Sequence, residues 1–207
     1  TDFIEKILIE KLKIRKLTVG YDFHFGRNRE GDVILLEDFA IIHGFELDII
    51  EPIKDAFSKE VFSSSSIRHS IKNGLIDRAN MMLGSAWAME GRVIHGDKRA
   101  REMNFPTANL LPHELIYPLK GVYAVKIVLD QNKFNGIANF GERPTVDGKK
   151  LLLEVHLFDF NANIYGKHLT VEFLSFIRGE KKFDTFSLLV DQIIKDIQTS
   201  KDYHLRN

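Results

Sequence analysis

The spacing of apolar positions changes along the chain. Early on it is helical: Phe3, Ile4, Ile7, Leu8 and Leu12 fall on one face, and Val33 to Ile42 supplies a second face that ends near Gly44. Leu17-Thr18-Val19 and Leu47 to Ile50 read as short buried strands. Strand, helix, strand in that order predicts a parallel βαβ unit, part of a doubly wound sheet. Such a part leaves one sheet edge unpaired and an apolar face uncovered. Ser63-Ser64-Ser65-Ser66 precedes Ile67, Ile71 and Leu75 and reads either as a low-complexity linker or, preferably, as a helix start whose serines cap free amides. A second helical segment, Leu75 to Leu83, leads to Gly84 and Ser85, where the reading places a boundary between domains 1–85 and 86–207.

From Trp87 onward the period shortens. Val122 to Leu129, Gly136 to Phe140, Leu151 to Phe158 and Leu169 to Ile177 are β-rich, with turns such as Asp130-Gln131-Asn132 and Asn161-Ala162-Asn163 between them. Short connections predict antiparallel neighbours, as a small closed barrel needs. Phe186, Leu189, Val190, Ile193, Ile194 and Ile197 predict a C-terminal helix packed on that barrel. The fold class expected is an α/β fragment, partial and doubly wound, followed by an antiparallel β-barrel with a C-terminal helix.

Composition narrows the partners. The 207 residues carry 29 Lys plus Arg against 29 Asp plus Glu, so no global field favours nucleic acid or an anionic membrane. There is no cysteine, which excludes disulfides and thiolate chemistry. No apolar run is long enough to span a bilayer, and the amphipathic N-terminal stretch carries acidic residues and no cleavage site. A soluble, cytoplasmic protein is expected.

The densest chemistry lies between Gly91 and Leu110. Val93 and Ile94 continue a strand, Gly96 permits a turn, and Lys98, Arg99 and Arg101 follow as donors matched to phosphate oxygens. Pro106 fixes its own φ and biases Phe105 away from helix, so Thr107 and Asn109 leave a rigid corner on the same side of an extended chain. Their side chains are hard oxygen donors of the kind Mg²⁺ shares with substrate phosphates. The plainer alternative is a β-turn followed by a solvated basic loop. Further on, alternation puts Glu154 on one strand face with Leu152 and His156. A carboxylate there is either solvated or faces a pocket, where it can accept a hydroxyl proton. His156 and Asp159 have no third residue spaced to complete a zinc site.

Three segments in order resemble the riboflavin kinase family. They are Gly91 to Leu110 with its Phe105-Pro106-Thr107-Ala108-Asn109 core, Gly136 to Thr145, and Leu153 to Phe160. With Phe176-Ile177-Arg178 and the C-terminal helix, the likeness runs from about Trp87 to the end. Leu17 to Gly26 and Phe62 to Arg68 resemble two late motifs of the FMN adenylyltransferase domain that precedes the kinase in bacterial bifunctional riboflavin kinase/FAD synthetases. That family opens with a histidine-bearing turn that grips ATP. No counterpart stands before Thr1, and neither His24 nor His43 has the required second histidine. The chain is therefore expected to be a fragment of the longer enzyme, with a partial nucleotidyltransferase domain unable to make FAD alone.

What the resemblance implies is specific. The activity would be Mg²⁺-dependent transfer of the ATP γ-phosphate to the 5′-hydroxyl of riboflavin, giving FMN and ADP. Glu154 would be the base, and Thr107 and Asn109 the metal ligands. ATP would be held by Gly91, His95, Gly96, Lys98, Arg101, Pro106, Thr107, Asn109 and Asn139, and the flavin by Phe176 and Arg178. Asp22, Ser64, Ser65 and Arg68 would be the adenylyltransferase remnant. No nucleic acid or membrane partner is implied, and the oligomeric state stays open. Ala100 and Asn104 stand where relatives commonly carry glycine, which predicts a stiffer loop. The alternative is a non-catalytic flavin- or nucleotide-binding module, which has no need of a base poised at a hydroxyl.

Overall fold

The computed structural model describes residues 2–56, 59–94, 105–112, 116–145 and 148–206, with backbone alone at 144, 145, 148 and 149. The chain forms two compact units, Thr1–Phe62 and Ser63–Asn207. The boundary expected at residue 85 thus falls inside the second unit.

In the first unit, strands β1 (Lys16–Gly20) and β2 (Glu46–Ile50) pair in parallel, with helix α1 (Val33–His43) as the crossover. Asp32 caps α1 by accepting from the Leu35 amide at 3.0 Å, and Gly44 ends it with φ +71°. A helical segment, Phe3–Lys11, precedes β1 and closes with the Leu12 amide bonded five residues back to the Ile7 carbonyl. Ile4, Leu8, Val19, Phe25 and Leu36 form the core between them. Ile34, Ile41 and Ile42 on α1 are largely exposed, so the helix has a second, outward apolar face.

The second unit begins with two short helices. Helix α2 (Ser64–Lys72) starts with a reciprocal cap: Ser63 accepts from the Ser66 amide, and the Ser66 hydroxyl accepts from the Ser63 amide. The serine run is thus a helix start. Helix α3 (Ile76–Leu83) sends Ile76 into the core that fills the barrel. Asn80 fastens α3, donating to the Phe173 carbonyl and accepting from the Trp87 amide, both at 2.8 Å.

Six strands then close on themselves: β3 (Ala88–Ile94), β4 (Ala108–Leu110), β5 (Gly121–Leu129), β6 (Asn132–Thr145), β7 (Gly148–Leu157) and β8 (His168–Gly179). The order round the barrel is β3-β4-β7-β6-β5-β8, and every pairing is antiparallel. Because side chains alternate, Leu153, Val155 and Leu157 point inward with Val93, Leu110, Tyr123, Phe140 and Phe173, and the lumen is a packed core. Burial of the Tyr123 hydroxyl there pushes its pKa up. Helix α4 (Phe186–Arg206) lies on the outside of the strands.

The apolar face expected for α4 is only partly used. Leu189, Ile193 and Ile197 line a cavity against the barrel, whereas Phe186 and Ile194 stay exposed. Two polar residues, Asp196 and Ser200, are the buried ones, and the Ser200 hydroxyl donates to the Gly136 carbonyl at 2.9 Å.

Candidate active site

Side chains on the outer face of the barrel make the site. The register pairs Ile94, Asn109, Glu154, Asn139, Val122 and Arg178 in succession across β3, β4, β7, β6, β5 and β8. The first five each sit one residue from an inward-facing neighbour, and Arg178 joins them across a shift in register, so this rung points away from the lumen. Pairing puts Asn109 and Asn139 directly beside Glu154, one on each flanking strand. Facing outward does not mean facing water, because α4 and residues 105–107 border the rung and leave the Glu154 side chain 14% exposed.

Two cavities meet there. The first, about 580 Å³, has an apolar floor of Val122, Ile137 and Ala138, a helical wall of Leu189, Ile193 and Ile197, and Thr107, Asn139 and Glu154 at one side. The second, about 830 Å³, runs from Val93 and Pro106 past Leu157 to Asn161 and Tyr165. Thr107 and His156 line both. His156 ties the two together, since its Nδ1–H donates to the Pro106 carbonyl at 2.8 Å and its ring meets Phe105 and Phe158 edge-on. That bond fixes the corner from which Thr107 emerges.

Asn109 carries the clearest chemical signal. It is buried to 6% exposure, and its Oδ1 has no hydrogen-bond partner, the one such buried side-chain atom among the described residues. An orphaned carbonyl oxygen buried beside a carboxylate and a threonine is a hard-oxygen set that fits Mg²⁺.

Two ion pairs flank the site. Arg143 on β6 donates Nη2 to the Glu154 carboxylate. Across the apolar floor Arg178 grips Asp196 with both Nε and Nη2, at 2.7 to 3.0 Å, and Gln192 also donates to Asp196. Sequence reading missed Arg143, Asp196 and Gln192. The Gln192–Asp196 spacing of four along a helix was the available signal.

The remaining expected residues divide. Pro106, Thr107, Asn109, Asn139, Glu154 and Arg178 come together. His95, Gly96, Lys98 and Arg101, with Ala100 and Asn104, lie outside the described residues. Gly91 packs on Leu110 within β3 and lines neither cavity. Phe176 is placed inward, in edge contact with Tyr123, and not over the first cavity beside Arg178. The cause is a shift of pairing between Val122 and Tyr123, where Ile177 and Arg178 together face Val122 and the alternation is broken. Asp22 belongs to the first unit, and Ser64, Ser65 and Arg68 to the second.

A closed antiparallel barrel with an external, helix-covered candidate site beside two cavities is the class of protein that the fold defines. The family model described as riboflavin kinase matches residues 83–204, and the model described as FAD synthetase matches residues 1–66. The chain belongs to the riboflavin kinase family. It is 43% identical over 203 residues to the bifunctional riboflavin kinase/FMN adenylyltransferase of Haemophilus influenzae, covering 97% of this chain and 65% of that protein. For the Escherichia coli protein of the same description, identity is 36% with coverage of 98% and 64%. The chain therefore spans less than two thirds of the length of these relatives. A crystal structure described as a macrolide-efflux protein from Streptococcus pneumoniae shares the fold with a TM-score of 0.84 at 32% identity, covering 96% of this chain and 64% of that one. Among the described residues no helix is long and apolar enough to cross a membrane.

Proposed function

We propose that residues 63–207 transfer the γ-phosphoryl group of ATP to the 5′-hydroxyl of riboflavin, with Glu154 as the base. The observation that carries this reading is the Asn109–Glu154–Asn139 row, with its orphaned Asn109 oxygen, on the barrel wall whose Thr107 and His156 join two cavities. A kinase has two substrates to bring end to end. The first cavity, with an apolar floor between the Arg143–Glu154 and Arg178–Asp196 pairs, suits the flavin ring, with the ribityl chain reaching toward Glu154. The second suits the nucleotide, with Thr107 at the junction.

Phosphoryl transfer asks the protein mainly for alignment and for compensation of charge. Glu154 takes the hydroxyl proton as the oxygen bonds to the γ-phosphorus, while the bond to the β–γ bridging oxygen breaks and its electron pair leaves with ADP. Thr107 and Asn109 would hold Mg²⁺, which when bound supplies positive charge for the phosphate oxygens. His156, by fixing Pro106, keeps Thr107 on the substrate side. The loop cations Lys98 and Arg101, and His95 and Gly96, belong to this proposal as ATP-binding groups. Arg178 belongs to it as a flavin-side group whose fork is set by Asp196. The Ser64, Ser65 and Arg68 helix start and Asp22 are proposed as the adenylyltransferase remnant of a bifunctional protein.

The test is FMN formation from riboflavin and Mg-ATP by this chain and by Glu154→Gln. Loss of about 10²- to 10⁴-fold in kcat with riboflavin binding retained supports the base role. Flavin binding by the unaltered chain without turnover supports a non-catalytic binding module.

A further inference from the structure

Glu154 is not alone before it meets a substrate, and its partner has a use. Its carboxylate and the Arg143 guanidinium are joined in a site where their side chains are only 14% and 35% exposed. Their positions make the contact unusual. The β6–β7 register sets Glu154 opposite Asn139 and Arg143 opposite Lys150, so Arg143 reaches four pairs along the ladder, two steps on the same face, to find Glu154. The position it passes is Gly141, which has no side chain to obstruct the lane. The same notch receives the Glu180 carboxylate, since a Cβ on Gly141 would lie 2.3 Å from its Oε1.

A base that accepts a proton loses its charge, and its hold on the half-buried cation paired with it weakens. In phosphoryl transfer this happens as negative charge spreads over the oxygens of the moving group. We propose that Arg143 serves both stages: it holds the Glu154 carboxylate in place before reaction and passes to an oxygen of the transferring phosphoryl group as Glu154 takes the hydroxyl proton. Guanidinium suits the exchange because its planar fork matches carboxylate and phosphate alike. After ADP and FMN leave, Glu154 returns its proton to water and the pair re-forms. The inference rests on the kinase reading, and it adds a catalytic cation on the barrel wall itself.

Arg143→Ala and Arg143→Lys test it, with FMN formation by the unaltered chain as the control. The expected result for Arg143→Ala is a fall in kcat of about 100-fold, the scale set by removing one preorganised donor, with the riboflavin dissociation constant changed by less than about threefold. Added guanidinium ion should restore a measurable part of the rate, which a merely structural role would not allow. Arg143→Lys should lie between. A readout independent of turnover is the affinity for ADP with aluminium fluoride in the presence of Mg²⁺ and riboflavin, which should weaken about tenfold or more relative to the affinity for ADP alone. Rates within threefold of the unaltered chain, or equal losses for ADP and ADP–aluminium fluoride, would overturn the proposal. If the unaltered chain makes no FMN, the kinase reading falls and the role of Arg143 falls with it, whereas FMN formation unaffected by Arg143→Ala overturns the role alone. Should Arg143→Ala fail to fold, Arg143→Gln replaces it with the guanidinium rescue unchanged.

Discussion

Asn109 shows how one side chain separates stability from use. A buried carbonyl oxygen without a donor costs roughly 1–3 kcal/mol. Leucine, of similar volume, has no such need. Asn109→Leu should therefore raise the melting temperature by a few degrees while FMN formation is lost and ATP-dependent Mg²⁺ binding weakens. Differential scanning calorimetry beside a flavin assay checks both arms. Two glycines give a sharper contrast. At Gly121, φ is +154° and an added Cβ would stand 2.2 Å from the Arg178 carbonyl oxygen, so both backbone and neighbour resist. Gly121→Ala should cost more than about 3 kcal/mol in denaturant melts. At Gly141 the obstacle is the end of the Glu180 side chain, which can move. Gly141→Ala should leave stability within about 1 kcal/mol and raise the KM for flavin or ATP instead.

Helix α4 is the element whose docking is least hydrophobic. Asp196, 4% exposed, answers Arg178 and Gln192, while Ser200 and His204 converge on the Gly136 carbonyl. Asp196→Ala leaves a largely enclosed guanidinium uncompensated, and a loss of about 3–5 kcal/mol is expected by urea denaturation. His204 gives the helix a pH dependence. Burial, more than any neighbour, holds its pKa below the ordinary 6.5. The unfolded chain therefore binds the proton more readily, so this contribution is present above about pH 6.5 and is lost as pH falls toward the folded value. His204→Gln should remove that part of the acid-side fall in melting temperature.

The same element marks where the sequence stopped being readable. Alternation in Leu151 to Leu157 was legible because Leu153, Val155 and Leu157 share one face, and it placed Glu154 correctly with His156. The inward facing of Phe176 was not legible, because a register shift changes facing without changing residue types. The Arg143–Glu154 and Arg178–Asp196 pairs join positions 11 and 18 residues apart through the β6–β7 pairing and the docking of α4 on β8, which no local period encodes.

On the scale of the whole chain, the second unit extends further toward the N-terminus than its family match. The match starts at residue 83, yet Ile71, Ile76 and Ala79 are fully buried, and Asn80 bonds two barrel strands. Removing residues 63–85 strips out two isoleucines that cost about 2–5 kcal/mol each when truncated singly. A chain of residues 63–207 should melt cooperatively, and one of residues 86–207 should be far less stable or insoluble, as circular dichroism of the two will tell.

The closed ring of strands has a further consequence for time. Glu154, Asn109 and Asn139 sit on strands paired on both sides, and such amides exchange with deuterium only when the whole unit opens. The groups proposed to meet substrate thus stand on backbone expected to exchange slowly in a deuterium-exchange measurement. Their dipoles are oriented once, at folding, so on the proposed kinase reading each cycle would begin without reorganisation of the wall behind the reacting hydroxyl.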